Sequence, residues 1–402
     1  MKIKVNKIKI KEIYIYFILV LIFYTSGSIY NFVFYNLNEK IKFIFCICAS
    51  LSIFVCSRKE IHSLFVFIAG SLFLVLWAIL GNAYLDNIFT TFIRILSVYI
   101  FLLFCENKKI DILEYLYKVI FLIAIIYLIA WMLFDYGPFS KFGTSLVVEI
   151  NKNMGYESSG KWIYTNFFNI YFRWKNERKV LGMTIYASNG PFWEPGLYQI
   201  YLNFALWYGL LHQKKINYLK IIILIIAVIS TTSTTGIFLL FIILGVFFYK
   251  KMEKKTAVCF LIPIGLVLYK IFTYVWNEKM INSLTNIQSR YNDTIFLVEK
   301  CLEHPIFGNG MGNTPAFNAL LLYVVDFGIL GFVLFLFYIL KLFTDKNELA
   351  QKIVLTFWLI LSLINEPIGY HSLVALILIM LYKTVIRKNC KYSDNNNKMK
   401  NT

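Results

Sequence analysis

The stretch "AFNALLLYVVDFGILGFVLFLF", residues 316–337, contains one ionisable residue, Asp326. It is long enough to cross the ~30 Å hydrocarbon core of a bilayer, which takes about 20 mostly apolar residues per helix. A helix apolar on every side lies either in a large protein core or in lipid. The rest of the chain decides between these. Of its 402 residues, 59% are hydrophobic and 15% charged, and the mean hydropathy is +0.66, values too apolar for a soluble globular fold. The same length criterion places spans at 12–33, 41–56, 62–80, 88–105, 115–134, 197–212, 217–232, 235–249, 256–275, 316–340, 351–366 and 370–386. The expectation is an all-α polytopic membrane protein of about 12 transmembrane helices. No Gly/Ser-rich or Pro-rich linker divides the sequence, so residues 1–402 read as one integral domain.

The pair 217–232 and 235–249 is short and meets at "STTSTTG", residues 230–236, where hydroxyl side chains can satisfy freed backbone groups. Two spans and a re-entrant pair both fit. Those hydroxyls are expected to pack and bond the backbone rather than to catalyse.

A formal net charge of +18 raises the question of nucleic acid, but the excess sits in short loops, which argues against it. One side of the expected bundle receives Lys2, Lys4, Lys7, Lys9 and Lys11, then Arg58 and Lys59, Lys108 and Lys109, Lys214 and Lys215, and "KKMEKK" at 250–255. Lys341, Lys346, Arg387, Lys388 and Lys391 fall on the same side. The positive-inside rule makes that side, and both termini, cytoplasmic. The long loops 135–196 and 276–315 then face outward. The N-terminal lysines precede an apolar run without a small-residue cleavage site, which favours an uncleaved first span. Of the seven cysteines only Cys301 falls in a large outward loop, so no external disulfide is expected. Cys46 and Cys48 lie in an apolar run without a His/Cys cluster, so neither a metal nor any cofactor is expected.

The outward loops carry the residues with chemistry in them. "YFRWKNERK", residues 171–179, interleaves Arg173, Lys175, Arg178 and Lys179 with aromatics. These are either solvated residues of a translocated loop or an anion site near the membrane, since the guanidinium fork suits phosphate oxygens. Glu194 stands before Pro195 and Gly196, where a proline suits the first turn of a helix, so Glu194 becomes the cap of the following span. Its carboxylate is either a plain cap or a group at the outer rim that takes a proton from a sugar hydroxyl or holds a basic residue.

In the second loop, Ile295, Phe296, Val298, Cys301 and Leu302 recur at helical spacing between Arg290 and His304, which reads as a helix lying on the outer surface. Gly308, Gly310 and Gly312 allow a tight turn whose amides could hold an anion, or a simple flexible turn. Arg94 and Asp326 are ionisable groups within spans and make a plausible buried pair, while Glu366 and His371 flank the short turn "NEPIGYH".

What is missing narrows the chemistry. The outward loops hold no Asp-X-Asp, and the chain has no phosphate-binding Gly-Lys-Ser/Thr loop, no dinucleotide glycine pattern and no serine elbow. Any departing phosphate would be neutralised by Arg and Lys, and the energy would come from an activated substrate. A lipid diphosphate entering sideways from the bilayer fits, its sugars meeting surfaces such as Trp162, Tyr171 and Trp174.

The order of "EPGLYQIYLNFAL" (194–206), "SRYND" (289–293), "HPIFGNGMGN" (304–313) and the run through Asp326 resembles the bacterial O-antigen polymerases and their relatives, the O-antigen ligases. The resemblance covers most of the chain in topology and is specific over about 180–206 and 285–335. It implies a GT-C-like, metal-independent, inverting glycosyltransferase with two large periplasmic loops. It would join repeat units on undecaprenyl diphosphate at the outer face of the inner membrane, with a polysaccharide chain-length regulator as a possible partner. By this resemblance Arg173, Arg178 and Arg290 bind the diphosphate, with Lys175, Arg94 and Asn318 as further substrate-binding positions. Glu194 or His304 orients or deprotonates the acceptor hydroxyl, and Asp326 matches the acidic position before Gly328-X-X-Gly331. Many relatives carry His-Asn where this chain has Phe317 and Asn318, which weakens the ligase reading more than the polymerase one. A non-enzymatic flippase or exporter of the same lipid is the alternative from another class.

Overall fold

The structure is a computed structural model. It describes residues 10–30, 35–55, 61–69, 85–150, 160–174, 177–180, 183–253, 284–310, 318–341, 349–366, 368 and 371–380, with scattered positions between 256 and 277. The described residues are mostly helical. We label the helices α1 (Ile10–Tyr24), α2 (Tyr35–Leu51), α3 (Leu85–Asn107), α4 (Ile112–Trp131), α5 (Pro195–Trp207), α6 (Tyr218–Ser230), α7 (Thr234–Lys251), α8 (Leu284–Glu303), α9 (Ala319–Lys341) and α10 (Leu349–Asn365). Residues 61–69 and 372–380 are also helical.

Four described helices are long and apolar enough to cross a membrane, namely Phe89–Asn107, Ile112–Tyr136, Thr234–Lys251 and Ala319–Phe337. Tyr218–Ser230 and Leu349–Asn365 are shorter and apolar. Exposed Ile222, Ile226, Phe238, Val333 and Phe337 present hydrocarbon outward, as a lipid-facing surface does.

Local chemistry starts these helices where the sequence puts polar caps. Asp111 accepts from the amides of Leu113 (3.1 Å) and Glu114 (3.4 Å), Asn217 from Lys220 (3.2 Å), and Ser233 from Gly236 (3.3 Å), each relieving a first-turn amide of its missing partner. At the centre stands α5, buried from Leu197 to Trp207 and packed against α4, α6, α7 and α10. Two indoles fasten α10 to it: Trp358 Nε1 donates to the Ile200 carbonyl (2.8 Å), and Trp207 Nε1 donates to that of Gln351 (3.0 Å).

Ring contacts gather the lysine-bearing turns at one end of the bundle. Tyr16 meets Tyr115, Tyr117 meets Tyr208, Lys220 lies over Tyr117, and α7 ends with Lys250 and Lys251 beside the 208–212 turn. The opposite end collects hydroxyls, amides and carboxylates. Residues 1–9, 56–60, 254–255, 342–348 and 381–402, which carry many of the other basic residues of this pattern, lie outside the described residues.

Two features differ from expectation. The first long loop carries strands as well as the short 3₁₀ helix Pro138–Phe142: β1 (Thr144–Ile150), β2 (Gly160–Phe167) and β3 (Tyr171–Trp174) form an antiparallel sheet, and β4 (Glu177–Val180) pairs with β5 (Met183–Tyr186). The all-α expectation therefore fails in this loop. Strands rich in β-branched and aromatic residues, such as "TSLVVEI" and "KWIYTNF", cover one another once the chain leaves the bundle. Phe168 and Asn169, both at φ +55°, make the tight turn between β2 and β3.

Second, α9 is broken at Gly328 (φ 67°, ψ −176°). The segment from Pro305 to Gly310 runs along the break and repairs its hydrogen bonding. Asn309 N donates to Val325 O (2.6 Å) and Gly310 N to Asp326 O (3.1 Å), while Ile329 N donates to Pro305 O (2.8 Å). A side chain at Gly328 would collide with the Ile306 carbonyl. An interrupted apolar helix needs such internal partners because lipid supplies none.

Candidate functional site

Pro195 starts α5 and Glu194 holds the cap position with extended backbone (φ −145°, ψ 157°), as its sequence requires. The carboxylate, however, makes no cap hydrogen bond. Its Oε1 is buried and without a hydrogen-bond partner, so helix capping does not account for it.

It has turned toward a second acid. A side chain on Gly196 would collide with Glu366 Oε1 and would sit 3.6 Å from Glu194 Oε1, so the two carboxylates share the space that glycine leaves open. Glu366 itself is buried directly after the last turn of α10. Around them lie Tyr201, fully buried with an unpartnered hydroxyl, and His371, whose ring packs where Gly27 (φ +82°) has no side chain. The turn after α1 closes the site: Trp193 N donates to Gly27 O (3.4 Å), Ile29 N to Pro191 O (2.9 Å), and Leu373 N to Ser26 Oγ (3.0 Å). Ser28 and Ser372 are buried here with unpartnered hydroxyls.

The second long loop reaches the same place. Arg290, exposed on α8, donates from Nη1 to the carbonyl of Asn365 (3.1 Å), the residue before Glu366. A guanidinium at the last carbonyls of a helix meets the negative end of its dipole. Arg94 donates to Thr90 O (3.4 Å) and Thr91 Oγ1 (3.1 Å) on its own helix, and its charge acts on His371.

Below the carboxylates the polar lining continues into the bundle. Asn203 donates to Gln199 Oε1 (3.0 Å) and to the Gly236 carbonyl (3.2 Å), and Ser188 N donates to Ser230 O (2.9 Å). Ser230 and Thr231 return their hydroxyls to the carbonyls of Ala227 (2.8 Å) and Val228 (2.7 Å), so the "STTSTTG" turn bonds backbone, as expected.

Arg173 is positioned differently from the expectation of an open phosphate ligand. Its Nη1 bonds Asp135 Oδ1 (3.3 Å), and its guanidinium lies 4.1 Å from the Tyr186 ring centroid. Tyr171 donates to the other oxygen of Asp135 (3.0 Å), and burial, with that carboxylate adding to it, pushes the Tyr171 phenol well above its usual range. Asp135 was not singled out in the sequence, though an acid at the end of "WMLFDY" is an available signal. The rings of Tyr171, Tyr127 and Tyr198 connect this lock to α5. The backbone of Arg178 lies in β4, but its side chain, Lys175 and the side chains of Trp162 and Trp174 lie outside the described residues.

The remaining candidates fall elsewhere. Asn318 Oδ1 accepts from Leu321 N (3.0 Å) and so caps α9. His304 is exposed, and its carbonyl takes the Gly308 amide (2.9 Å). The amides of Gly308, Asn309 and Gly310 are all engaged within the chain, so these three are not open to an anion; Gly312 and Phe317 lie outside the described residues. Asp326 is fully buried at the break in α9, and its charge and burial both raise the Cys301 thiol, burial being the larger cause. Among the described residues no group of three or more His, Cys, Asp or Glu gathers to ligate a metal.

The chain matches no protein-family model, no curated protein and no solved structure.

Proposed function

We propose that this protein polymerises oligosaccharide repeat units carried on undecaprenyl diphosphate, at the outer face of a bacterial inner membrane. In this reading it is a GT-C-like glycosyltransferase of about 12 spans, with both termini in the cytoplasm, that needs no metal. The observation that carries the reading is the convergence at one end of the bundle: Glu194, at the close of the first long loop, shares its space with Glu366, and Arg290 of the second long loop sits on the preceding carbonyl. A phosphorylated lipid arriving from the bilayer meets a guanidinium there, and a sugar hydroxyl meets a carboxylate. Glu194 serves as the base; Arg290 steadies the departing diphosphate. Arg173 contributes by holding the sheet rather than by reaching the phosphate.

The test is direct. Purified protein in liposomes should lengthen carrier-linked repeat units, and loss of the protein in cells should leave single units on the carrier. Long carrier-bound chains in such cells would indicate ligation to lipid A core instead. A second reading has its own observation: a broken apolar helix with a buried acid at the break is a motif of transporters, and α9 with Asp326 fits it. Movement of the carrier lipid across the liposome membrane without elongation would favour export.

A further inference from the structure

On the outward side of α4, exposed Leu122, Ile126, Ile129 and Leu133 recur at helical spacing, and this stripe runs on past the end of the helix. There it meets two turns of the first long loop. The rings of Phe134, Phe139, Phe142 and Phe168 form a closed circuit. Their centroids lie 5.9 Å apart for Phe134 and Phe139, 6.2 Å for Phe139 and Phe142, 6.4 Å for Phe142 and Phe168, and 6.1 Å for Phe168 and Phe134. Phe139 and Phe142 belong to the turn Pro138–Phe142, and Phe168 to the tip of the β2–β3 hairpin with Ile170. Away from α4 the circuit is open: Phe142 is 60% exposed, Phe168 59%, Ile170 58% and Phe139 41%. We infer that this apolar foot of the first loop is seated in the lipid leaflet around the end of α4, with Lys141 reaching the lipid phosphates. The inference needs α4 to cross a membrane; it does not need the transferase reading.

The length of α4 sets the level of the bilayer. In its first two turns Lys118 pairs with Glu114 (2.7 Å) at an exposed position, suited to water or headgroups. From Val119 to Phe134 there is no acid and no Lys or Arg, and Asp135 is buried against Arg173. A hydrocarbon core of ~30 Å takes about 20 helical residues, which counted from Val119 end at the Pro138 turn. The far boundary of the hydrocarbon therefore falls where the foot stands.

The hairpin tip is tied to the same level from two sides. Phe167 and Tyr171, which flank it, cluster with Ala130 of α4. Tyr30, beyond the end of α1, donates to the carbonyls of Asn169 (3.4 Å) and Ile170 (3.2 Å), and its ring centroid lies 5.4 Å from that of Tyr24, the last residue of α1.

The tip holds its ring outward at a cost. Phe168 has φ +55°, a conformation disfavoured for a bulky side chain. Asn166 braces the turn: its Oδ1 accepts from the Asn169 amide (2.9 Å), and its Nδ2 donates to Asn169 Oδ1 (2.8 Å). An exposed ring in water offsets none of that strain, whereas one transferred to hydrocarbon is stabilised. Charge agrees with this placement. Between Tyr136 and Val148 there is no acid, and Lys141 is exposed. Aromatic rings beside a long basic side chain suit the boundary between hydrocarbon and headgroups. A protein partner would have to displace lipid from the α4 stripe with which the foot is continuous, so the bilayer is the occupant. The seated foot holds the sheet, and Arg173 with it, beside the membrane.

Photocrosslinking of the full-length protein in native membranes tests the inference. A diazirine analogue of phenylalanine replaces Phe168, Phe142 or, as a lipid-facing reference, Ile126, and mass spectrometry identifies what each has captured after irradiation. Phospholipid adducts are expected at 168 and 142, at yields within about threefold of that at 126. Water adducts predominating at both foot positions would overturn the inference. Adducts to a second copy or to another protein would also overturn it, and would make the foot a protein-docking surface. Should the variant at 168 fail to accumulate, 142 decides, since it belongs to the other turn. Loss of lipid adducts at 126 as well would remove α4 from the membrane and the foot with it. Lipid adducts at the foot of a protein that does not elongate carrier-linked units would leave the foot and remove the transferase.

Discussion

Between α4 and α5 the chain folds into strands, and Arg173 is bonded there to a buried carboxylate and stacked on Tyr186; between 284 and 310 it folds into a helix, and Arg290 reaches a helix-end carbonyl from an exposed position. The two arginines share a residue type, an expected side of the membrane and an expected task. Their surroundings separate them. Asp135 has no exposed side chain and Arg173 little, so each needs the other, whereas Arg290 lies where a ligand can reach it. An arginine in an outward loop is therefore a phosphate candidate only after its local partner is known.

That contrast can be broken by substitution. The largest effect is expected at the lock. Asp135→Ala strands the Arg173 guanidinium against its rings and should cost about 3–5 kcal/mol of stability, read by thermal unfolding in nanodiscs. Combining it with Arg173→Leu should recover part of the loss; a double variant no better than the single would mean that the pair does not hold the sheet to α4.

Next comes Arg290. Arg290→Ala should lower elongation by about 10²–10³-fold, roughly 2.7–4 kcal/mol, with protein level unchanged. Arg290→Lys should rescue poorly, since a point charge does not replace the planar fork. Normal long-chain banding in Arg290→Ala would remove this residue from the site and make the two loops alike.

A smaller change tests the space between the acids. Gly196→Ala puts a methyl group against Glu366 Oε1 and should cost about 1–3 kcal/mol of stability, with elongation reduced more than stability explains. A silent Gly196→Ala would show that the carboxylates do not need that gap.

The smallest effect is on the outer face of α8, where Tyr291, Ile295, Val298 and Leu302 stand exposed in a helical stripe. Leu302→Trp should alter stability by no more than about 0.5 kcal/mol, yet brominated lipids should quench it more strongly than Glu299→Trp. Equal quenching would detach this helix from the bilayer surface.

Much of the helical framework was legible because a helix in hydrocarbon satisfies its own backbone, so a long apolar run predicts it without knowledge of neighbours. The expected spans 88–105, 217–232, 235–249 and 351–366 fall within a few residues of α3, α6, α7 and α10. The strands of the first loop were missed because alternation there is weak, and each strand depends on its partner across the sheet. The break at Gly328 was missed for a related reason. Nothing in 316–337 says that residues 305–310 will supply the hydrogen bonds a broken helix needs.

Glu194 shows the division most plainly. From the sequence alone follow its place at the start of an apolar helix and the proline that begins that helix, because these are local preferences of the backbone. That its carboxylate ignores the cap, faces Glu366 across Gly196 and lies next to a residue held by Arg290 comes from segments far apart in the chain. Electrostatic coupling depends on distance in space, and only the packing of α5, α8 and α10 fixes those distances.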